Sequence, residues 1–309
     1  MDLSKINGKI WFDGEMIDWL DANTHLLTHT LHYGLGVFEG VRAYDTHKGP
    51  SIFRLLDHTD RLFKSAATVN MEIPYSKDII NKAHVDVVKE NMLQEGYIRP
   101  MCFYGSEGMG LRADNLKVHV MIAAWEWGAY LGEDNMKNGI RIRTSSYARV
   151  HAHPSMAGAK TNGNYVNSMM ALKEAQDHGF DEALMLDSEG LVSEGSGENI
   201  FIIKDNILYT PHLTSALPGI TRHTIFTLAK NLGYKIVEKN LNCDEIYNAD
   251  EAFFTGTAAE ITPIRDLDAN QIGAGTRGPL TEKLQTLYFD CVHGRNTDYL
   301  KWINNGRCV

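Results

Sequence analysis

The sequence predicts an α+β fold, because strand-like and helix-like stretches follow one another without a regular β-α-β alternation. Short runs with alternating or continuous apolar residues predict strands, as in "YIRPMCFYG" (97–105). Longer runs with helical apolar spacing predict amphipathic helices, as in "SKDIINKAHVDVVKENM" (76–92). The 309 residues, 43% of them apolar, suffice for one large domain or two ordinary ones.

The first part of the chain is predicted to be a small mixed domain. "KIWFDGEMIDW" predicts a hairpin that turns at Asp13-Gly14. An amphipathic helix over 57–71 and the helix over 76–92 follow, and then strands over 97–105 and 119–127.

A polar, glycine-bearing stretch, "GAYLGEDNMKNG" (128–139), interrupts this pattern. We therefore expect a small N-terminal α+β domain over 1–127, an interdomain loop over 128–139 and a large C-terminal domain over 140–309.

The second part begins with a strand-like run at 140–150, and a helix over 164–178 ends at Gly179, which suits a helix C-terminus. A further helix, 218–233, has a similar glycine stop, and Pro279 begins a C-terminal helix at the position that proline favours. The remaining predicted strands are 181–187, 191–203, 234–241 and 251–257.

Composition narrows the class of partner and the compartment. Thirty Lys and Arg against thirty-nine Asp and Glu give a formal charge of -9, which argues against nucleic acid or an anionic membrane as a partner. The four cysteines have no CxxC spacing, so a reducing cytoplasm is expected. No leader-like segment is expected, nor any window of the roughly 18 apolar residues that a membrane span requires.

Three motifs suggest other chemistry but lack its context. "GAGTRG" (273–278) matches GxGxxG, yet a helix follows with too few residues for a second strand, so a turn is predicted there. His25, His29 and His32 could share a helix face, and "HAHP" (151–154) is a similar cluster, but neither predicts a metal site. "EGSGEN" lacks the GxSxG elbow of a serine nucleophile.

One constellation carries specific chemistry. Lys160 is the only cation in "GAKTNGNYVN", where a loop leads into a helix, and Glu194 opens the glycine-rich "EGSGENIF". "LPGITR" (217–222) begins another helix, and "FFTGTAAE" (253–260) is a strand that ends in small residues. With these pieces in this order, the chain resembles the class IV pyridoxal 5'-phosphate (PLP) aminotransferases. Members of that family have a two-domain α+β architecture, called fold type IV or D-amino-acid-aminotransferase-like.

The resemblance covers nearly all of the chain and is closest to the branched-chain amino acid aminotransferases. The pieces that carry it are "LHYGLGVFEGVRAY" (31–44), "HTDRLFKSA" (58–66), "YIRP" (97–100), "GMGL" (108–111) and "GTAAE" (256–260). Arg112 and Ala113 depart from the Asn-Pro pair that often follows "GMGL" in the family, which puts the fine substrate range in doubt.

The resemblance assigns the cofactor-binding residues. Lys160 would hold PLP as a Schiff base and move the proton as base and then acid. Glu194 would pair with the ring nitrogen, whereas Glu198 is expected to be structural or solvated, and Tyr165 would bond to the ring oxygen unless it only packs. The residues that the resemblance implies for binding the phosphate are Arg61, Ile220, Thr221 and Thr257. The alternative for Arg61 is an ordinary helix arginine held in a salt bridge.

Substrate recognition is assigned in the same way. Tyr97 and the backbone of Thr257 and Ala258 would bind the α-carboxylate, and Arg99, on the same strand face as Tyr97, would bind the distal carboxylate of glutamate. The resemblance implies an apolar wall made of Phe38, Tyr33, Trp127, Tyr130 and Leu111. Some of these residues could reach in from a neighbouring subunit, and each of the aromatic ones could equally be a core residue.

The resemblance implies ping-pong transamination of L-leucine, L-isoleucine and L-valine with 2-oxoglutarate in a cytoplasmic homo-oligomer, a dimer or a hexamer. The alternatives are another fold type IV enzyme, namely a D-amino-acid or (R)-amine aminotransferase or aminodeoxychorismate lyase, and a non-catalytic PLP-binding module. The branched-chain pieces at 97–99, 108–111 and 256–260 favour the first.

Overall fold

The computed structural model describes residues 2–128, 130–132, 134–149 and 157–308. The chain divides into two compact units. The first consists of the residues up to Trp127, Ala159–Gly163 and the residues from Cys291 onward, and the second of Gly128–Gly158 and Asn164–Asp290. "HAHP" (151–154) lies outside the described residues.

The α+β class is confirmed by helices and two separate sheets. The strands in chain order are β1 Lys9–Phe12, β2 Glu15–Asp18, β3 Gly36–Phe38, β4 Val41–Tyr44, β5 Ser51–Ile52, β6 Gly96–Tyr104, β7 Val118–Trp125, β8 Ile140–Thr144, β9 Glu182–Leu186, β10 Val192–Gly195, β11 Asn199–Lys204, β12 Ile207–Thr210, β13 Lys235–Glu238, β14 Glu251–Gly256, β15 Glu260–Leu267 and β16 Asn270–Gln271. The α-helices of the described residues are α1 His29–Tyr33, α2 Leu55–Thr68, α3 Lys77–Glu90, α4 Asn135–Asn138, α5 Tyr165–Asp177, α6 Ile220–Asn231, α7 Cys243–Tyr247, α8 Pro279–Val292 and α9 Lys301–Asn304.

The first unit is built on an antiparallel sheet in the order β2-β1-β7-β6-β4-β5, with β3 also paired to β6. The predicted hairpin is confirmed, because Asp13 and Gly14 both have positive φ and join β1 to β2. Helix α2 buries Leu55, Leu62 and Ala66, its apolar stripe, in the core of this unit.

The second unit is built on a mixed sheet in the order β10-β9-β8-β15-β14-β11-β12-β13, with β16 paired to β15. The pairs β8–β9, β8–β15 and β12–β13 are parallel and the others antiparallel. The predicted helices 164–178 and 218–233 correspond to α5 and α6, and Gly179 has the positive φ of a C-terminal stop.

The structure differs from the sequence prediction in the assignment of residues to the two units and in the stretch between them. Residues 159–163 and those from Cys291 onward, which were assigned to the second domain, group with the first unit. Long-range backbone hydrogen bonds tie both segments to the first unit: Thr161 forms a β-bridge with Val37, and the Cys308 amide donates to the Pro50 carbonyl. The stretch 128–139, predicted as a loop, contains the one-turn helix α4.

No described helix combines the length and apolar character needed to cross a membrane. "GAGTRG" forms the predicted turn before α8, with positive φ at Gly273 and Gly275. None of the four cysteines, all of which lie in the described residues, forms a disulfide.

Candidate active site

In the first unit, Lys160 lies on a short segment that runs antiparallel beside β3. The Phe38 amide donates to the Lys160 carbonyl at 3.1 Å, and the Asn162 amide donates to the Gly36 carbonyl at 2.9 Å. The Lys160 amide donates to the Ser65 hydroxyl of α2 at 3.0 Å. The backbone of the lysine is therefore fixed through both its N–H and its C=O.

The Lys160 side chain is half-buried and lies against an aromatic ring. Its Nζ is 4.9 Å from the centroid of the Phe38 ring, and Phe38 is itself buried. A ring face attracts an ammonium group electrostatically, so this contact helps to position the amine.

Arg99 and Tyr97 lie on one face of β6, as predicted from their spacing. Arg99 Nη2 donates to the Tyr97 hydroxyl at 3.1 Å, and the guanidinium carbon is 4.7 Å from the centroid of Phe38. Tyr97 also packs edge-on against Trp127, with 4.6 Å between the ring centroids. Cationic, phenolic and apolar surfaces are thus adjacent within one unit.

The turn between β3 and β4 makes room for the Tyr97 phenol. A Cβ atom at Gly40 would lie 2.0 Å from the Tyr97 hydroxyl oxygen, which is far inside van der Waals contact. Gly40 is therefore required by this close approach. No conformational signal in "FEGV" distinguished it from an ordinary turn glycine.

Arg61 points from α2 into a buried charge cluster. Its Nε donates to Glu39 Oε1 at 2.6 Å and its Nη2 to Glu39 Oε2 at 2.8 Å, and His58 Nδ1 lies 2.8 Å from the same Oε2. Burial raises the pKa of Glu39, but the Arg61 charge and the hydrogen bonds of Arg61 and His58 outweigh it and hold that pKa far below its usual range. Arg61 therefore does form the salt bridge that was the alternative to phosphate binding. The guanidinium has five N–H donors and the contact with Glu39 uses two of them, so the salt bridge does not prevent the group from binding a phosphate as well.

Two residues of the predicted apolar wall lie at the surface of the first unit. Tyr33 is 42% exposed and its hydroxyl accepts from the Gly110 amide at 3.1 Å, whereas Leu111 is 89% exposed. The histidines near them contact different backbone groups: His29 with Gly110, His32 with Leu26 and His25 with Leu27.

In the second unit, Glu194 is held by a ring of donors near the turn between β10 and β11. Arg149 Nη2 lies 2.8 Å from Oε1, while the Leu217 amide donates to Oε2 at 3.1 Å and Asn199 Nδ2 does so at 3.4 Å. Glu194 is only 7% exposed, so Arg149 supplies the positive charge that a buried carboxylate requires.

Helix α6 begins at Ile220, as predicted, and Thr221 is its second residue. Gly219 is the N-cap and offers no capping side chain, so the first turn presents backbone N–H groups and a positive dipole end. A Cβ at Gly219 would lie 2.0 Å from Asn199 Oδ1. Because Asn199 also binds the Leu217 carbonyl, it fixes this helix start relative to Glu194.

The other predicted residues of the second unit occupy turns and a helix start. Thr257 and Ala258 are half-buried in the turn after β14, and the Thr262 hydroxyl closes that turn on the Ala259 carbonyl at 2.6 Å. Tyr165 is the half-buried first residue of α5. Tyr130 is 37% exposed.

Sequence reasoning missed the residues that support these positions. Glu39 carried a signal, because a lone acid in the apolar run "GVFEGV" demands a buried partner. Arg149 and Asn199 carried no such signal in the sequence. The partner of Arg149, Glu194, is 45 residues away, and Leu217, to which Asn199 donates, is 18 residues away.

With this geometry in view, comparison with known proteins identifies the family. The model of amino-transferase class IV matches residues 36–267. The chain belongs to the class IV aminotransferases, which are PLP-dependent enzymes.

Particular relatives match over nearly the full length. The branched-chain-amino-acid aminotransferase of Pseudomonas aeruginosa is 63% identical over 302 residues, 98% of each chain. The crystal structure of the branched-chain amino acid aminotransferase of Escherichia coli has a TM-score of 0.95 at 44% identity, covering 98% of this chain and 100% of that one. The branched-chain amino acid aminotransferase of T.th. complexed with N-(5'-phosphopyridoxyl)-L-glutamate has a TM-score of 0.92 at 44% identity, covering 96% and 98%.

The same T.th. enzyme complexed with 4-methylvaleric acid matches with a TM-score of 0.91 at 42% identity, covering 96% of this chain and 98% of that one.

The residues present fit the chemistry of PLP. The first unit supplies the primary amine of Lys160 on a fixed backbone, and the second supplies the buried carboxylate of Glu194 and the uncapped start of α6. These are the group types that a pyridoxal aldehyde, a pyridine nitrogen and a phosphate require.

Proposed function

We propose that this chain catalyses transamination of L-leucine, L-isoleucine and L-valine with 2-oxoglutarate, giving the branched-chain 2-oxo acids and L-glutamate. The observation that carries the proposal is the adjacency of Arg99, Tyr97 and Phe38. An enzyme of this kind must accept an aliphatic side chain in one half-reaction and a side-chain carboxylate in the other. A guanidinium stacked on a phenyl ring offers both surfaces at one place.

The relatives support this assignment of substrates. The T.th. enzyme has been solved with a phosphopyridoxyl adduct of glutamate and with 4-methylvaleric acid, which has the carbon skeleton of leucine. We assign Arg99 to the distal carboxylate, and Tyr97 with the backbone of Thr257 and Ala258 to the α-carboxylate. Phe38, Tyr33, Trp127, Tyr130 and Leu111 are assigned to the apolar wall.

The cofactor, when bound, supplies an electron sink that weakens the Cα–H bond of the amino acid. Lys160 holds it covalently and, once displaced by substrate, moves the Cα proton as general base and general acid. Glu194 accepts from the ring nitrogen and Tyr165 donates to the ring oxygen. Ile220, Thr221, Thr257 and Arg61 bind the phosphate. The two substrates react in turn, so a ping-pong course follows.

We further propose that the enzyme is a cytoplasmic homo-oligomer, a dimer or a hexamer. Leu26, Leu31 and Leu111 are 83%, 64% and 89% exposed. The contacts of His29 and Tyr33 with Gly110 place helix α1 beside the 109–111 loop, and the contact of His32 with the Leu26 carbonyl places Leu26 beside α1, so these leucines belong to one surface of the first unit. Large apolar side chains grouped in this way favour burial against another subunit. Four cysteines without a disulfide among them favour a reducing compartment.

The experiment that tests the substrate assignment is Arg99→Leu, with kcat/KM measured for L-glutamate and for L-leucine. In the variant, kcat/KM is expected to fall by at least about 100-fold for L-glutamate, because the side-chain carboxylate of the bound substrate loses its charged partner. For L-leucine, kcat/KM is expected to fall by less than about 10-fold. Arg99→Lys is the matched control, since it keeps the charge but not the fork, and it is expected to fall between the two. Equal losses with both substrates would show that Arg99 is structural.

A further inference from the structure

Three glutamates are buried close to one another in the second unit, and they differ in their partners. Glu182 begins β9, Glu194 lies on β10 and Glu198 lies in the turn that follows, with exposures of 0%, 7% and 5%. Glu194 pairs with Arg149. Among the described residues, neither Glu182 nor Glu198 has an ion-pair partner.

Glu182 is poorly provided with donors. Its Oε1 accepts from the Ala183 amide at 2.6 Å, but Oε2 is sealed from solvent and has no hydrogen-bond partner among the described residues. An ionised carboxylate with an unsatisfied buried oxygen is costly, whereas the protonated acid carries no net charge to desolvate. Burial accordingly raises the pKa of Glu182 to about 7, although the Ala183 amide and Ser196 oppose the rise.

Glu198 is in a similar position. Its Oε2 accepts from the Gly197 amide at 3.0 Å. Burial, followed by the charge of Glu182, raises the pKa of Glu198 well above its usual range; Glu194 adds to this rise and Arg149 opposes it. Among the described residues, Glu182, Glu194, Glu198 and Arg149 are the charged and titratable side chains that act on one another here.

The donors of Arg149 are directed elsewhere. Nη1 donates to the Ser168 hydroxyl at 2.8 Å, and Nη2 contacts Glu194 Oε1 at 2.8 Å as well as the carbonyls of Gly195 and Ser196 at 3.0 and 3.3 Å. One guanidinium thus serves one carboxylate and the turn that carries Glu198.

We propose that Glu182 and Glu198 form a buried acid pair that retains a proton at neutral pH and thereby reserves Arg149 for Glu194. The pair is a positioning device for Glu194, and its role in cofactor binding rests on the proposed function of that residue. While the pair holds its proton, Glu194 is the carboxylate that Arg149 neutralises. When the pair loses the proton, a second negative charge faces Glu194 and competes for the same guanidinium.

The sign of the pH effect follows from linkage. A carboxyl group whose folded-state pKa is raised contributes stability that is fully present below its unfolded pKa, about 4.3 for glutamate, and that is lost as pH rises through the folded value. The unit is therefore expected to lose stability as pH rises from about 4.3 towards about 7 through Glu182, and to go on losing it at higher pH through Glu198, whose pKa is raised well above its usual range.

The protonation itself is tested by infrared spectroscopy of the holoenzyme at pH 7. A carbonyl-stretch band of a protonated carboxylic acid is expected in the wild type and expected to be weaker in Glu198→Gln, which is neutral at every pH, keeps an oxygen for the Gly197 amide and leaves Glu182 as the remaining buried acid. Glu182→Gln, the second variant, is expected to change the same band. A wild-type spectrum without the band would overturn the proposal.

The coupling to stability is tested by the Tm of the same proteins between pH 5.5 and 9.5. Relative to the wild type, Glu198→Gln is expected to gain at least about 3 °C across this range, because it has no proton to lose. Glu189→Gln, at an exposed glutamate of the same unit, is the matched control and is expected to show a constant difference. A constant difference for both Glu198→Gln and Glu182→Gln would also contradict the acid pair.

The link to Glu194 is tested by the PLP retained after gel filtration at pH 7 and pH 9. The wild type is expected to lose several-fold more cofactor at pH 9 than Glu198→Gln does. Equal retention by the two proteins would refute the reserving role. If neither protein bound PLP even at pH 7, the proposed function would fail instead, while the infrared and Tm results would still decide the protonation of the pair.

Discussion

Glu39 in the first unit and Glu182 in the second are both fully buried, yet their pKa values are shifted in opposite directions. Glu39 receives a bidentate contact from Arg61 and a hydrogen bond from His58, and its pKa is lowered. Glu182 receives neutral donors and no ion pair among the described residues, and its pKa is raised to about 7. Burial alone therefore does not decide whether a carboxyl group is charged; the donors around it do.

The difference has a functional meaning for each unit. Burial lowers the pKa of His58, so its contact with Glu39 is that of a neutral donor with an anion. The charge of Arg61 then balances that of Glu39 and fixes the guanidinium on α2. In the second unit the protonated pair leaves the Arg149 charge to Glu194.

The largest effect is expected from the lysine of the first unit. Replacing Lys160 by Ala removes the covalent holder of PLP and the group that moves the Cα proton. Steady-state transamination with L-leucine and 2-oxoglutarate is expected to fall by about 10²–10⁴-fold or more, while non-covalent cofactor binding persists. Turnover near the wild-type rate would exclude the assignment of Lys160.

The comparison of the two glutamates is tested directly by Glu39→Gln against Glu182→Gln. The first leaves Arg61 without its buried anion and is expected to lower the free energy of unfolding by about 3–5 kcal/mol at pH 7. The second replaces a group that is partly protonated already, so the change is expected to be within about 1 kcal/mol. Chemical denaturation measures both, and equal losses would show that the two carboxyl groups do not differ in charge.

A smaller effect is expected at Gly40. Replacement by Ala puts a methyl group where the Tyr97 hydroxyl lies, which forces the phenol to move at a cost of about 1–3 kcal/mol. Because Tyr97 is assigned to the α-carboxylate, KM is expected to rise about 10-fold for both L-leucine and L-glutamate. A rise for only one substrate would assign Tyr97 to a side-chain subsite.

The smallest expected effect is a difference between the two units in how the Tm of glutamate variants depends on pH. Glu39 has a depressed pKa, so its stabilising contribution is present above its unfolded pKa of about 4.3 and is lost as pH falls toward the folded value. The Tm deficit of Glu39→Gln is thus expected to shrink below about pH 4.3, whereas the Tm advantage of Glu198→Gln grows on the alkaline side. Two variants whose Tm differences changed on the same side of the pH range would contradict the opposite pKa shifts.

Local pattern predicted the elements on which the site is built. The apolar stripe of α2, the alternation in β6 and the turn at Asp13 were readable because each depends on neighbours within a few residues. The strand β15 was not predicted, and its parallel pairing with β8 joins residues more than 100 apart. Such pairings follow from tertiary packing, which a single sequence does not encode locally.

The same limit applies to the site. Arg99 and Tyr97 were placed on one face correctly, because a strand has a period of two. The solvated alternative for Glu198 is wrong, since the residue is 5% exposed. Its side chain lies beside Gly256 at the end of β14, a long-range neighbour that no spacing in "EGSGEN" could indicate.

The central claim is tested most directly by the visible absorption spectrum of the purified protein supplied with PLP. A yellow band of lysine-bound cofactor is expected that bleaches on addition of L-leucine, returns with 2-oxoglutarate and is unaffected by D-alanine. The absence of the band would contradict the role of Lys160, and bleaching by D-alanine alone would contradict the branched-chain assignment in favour of another class IV activity.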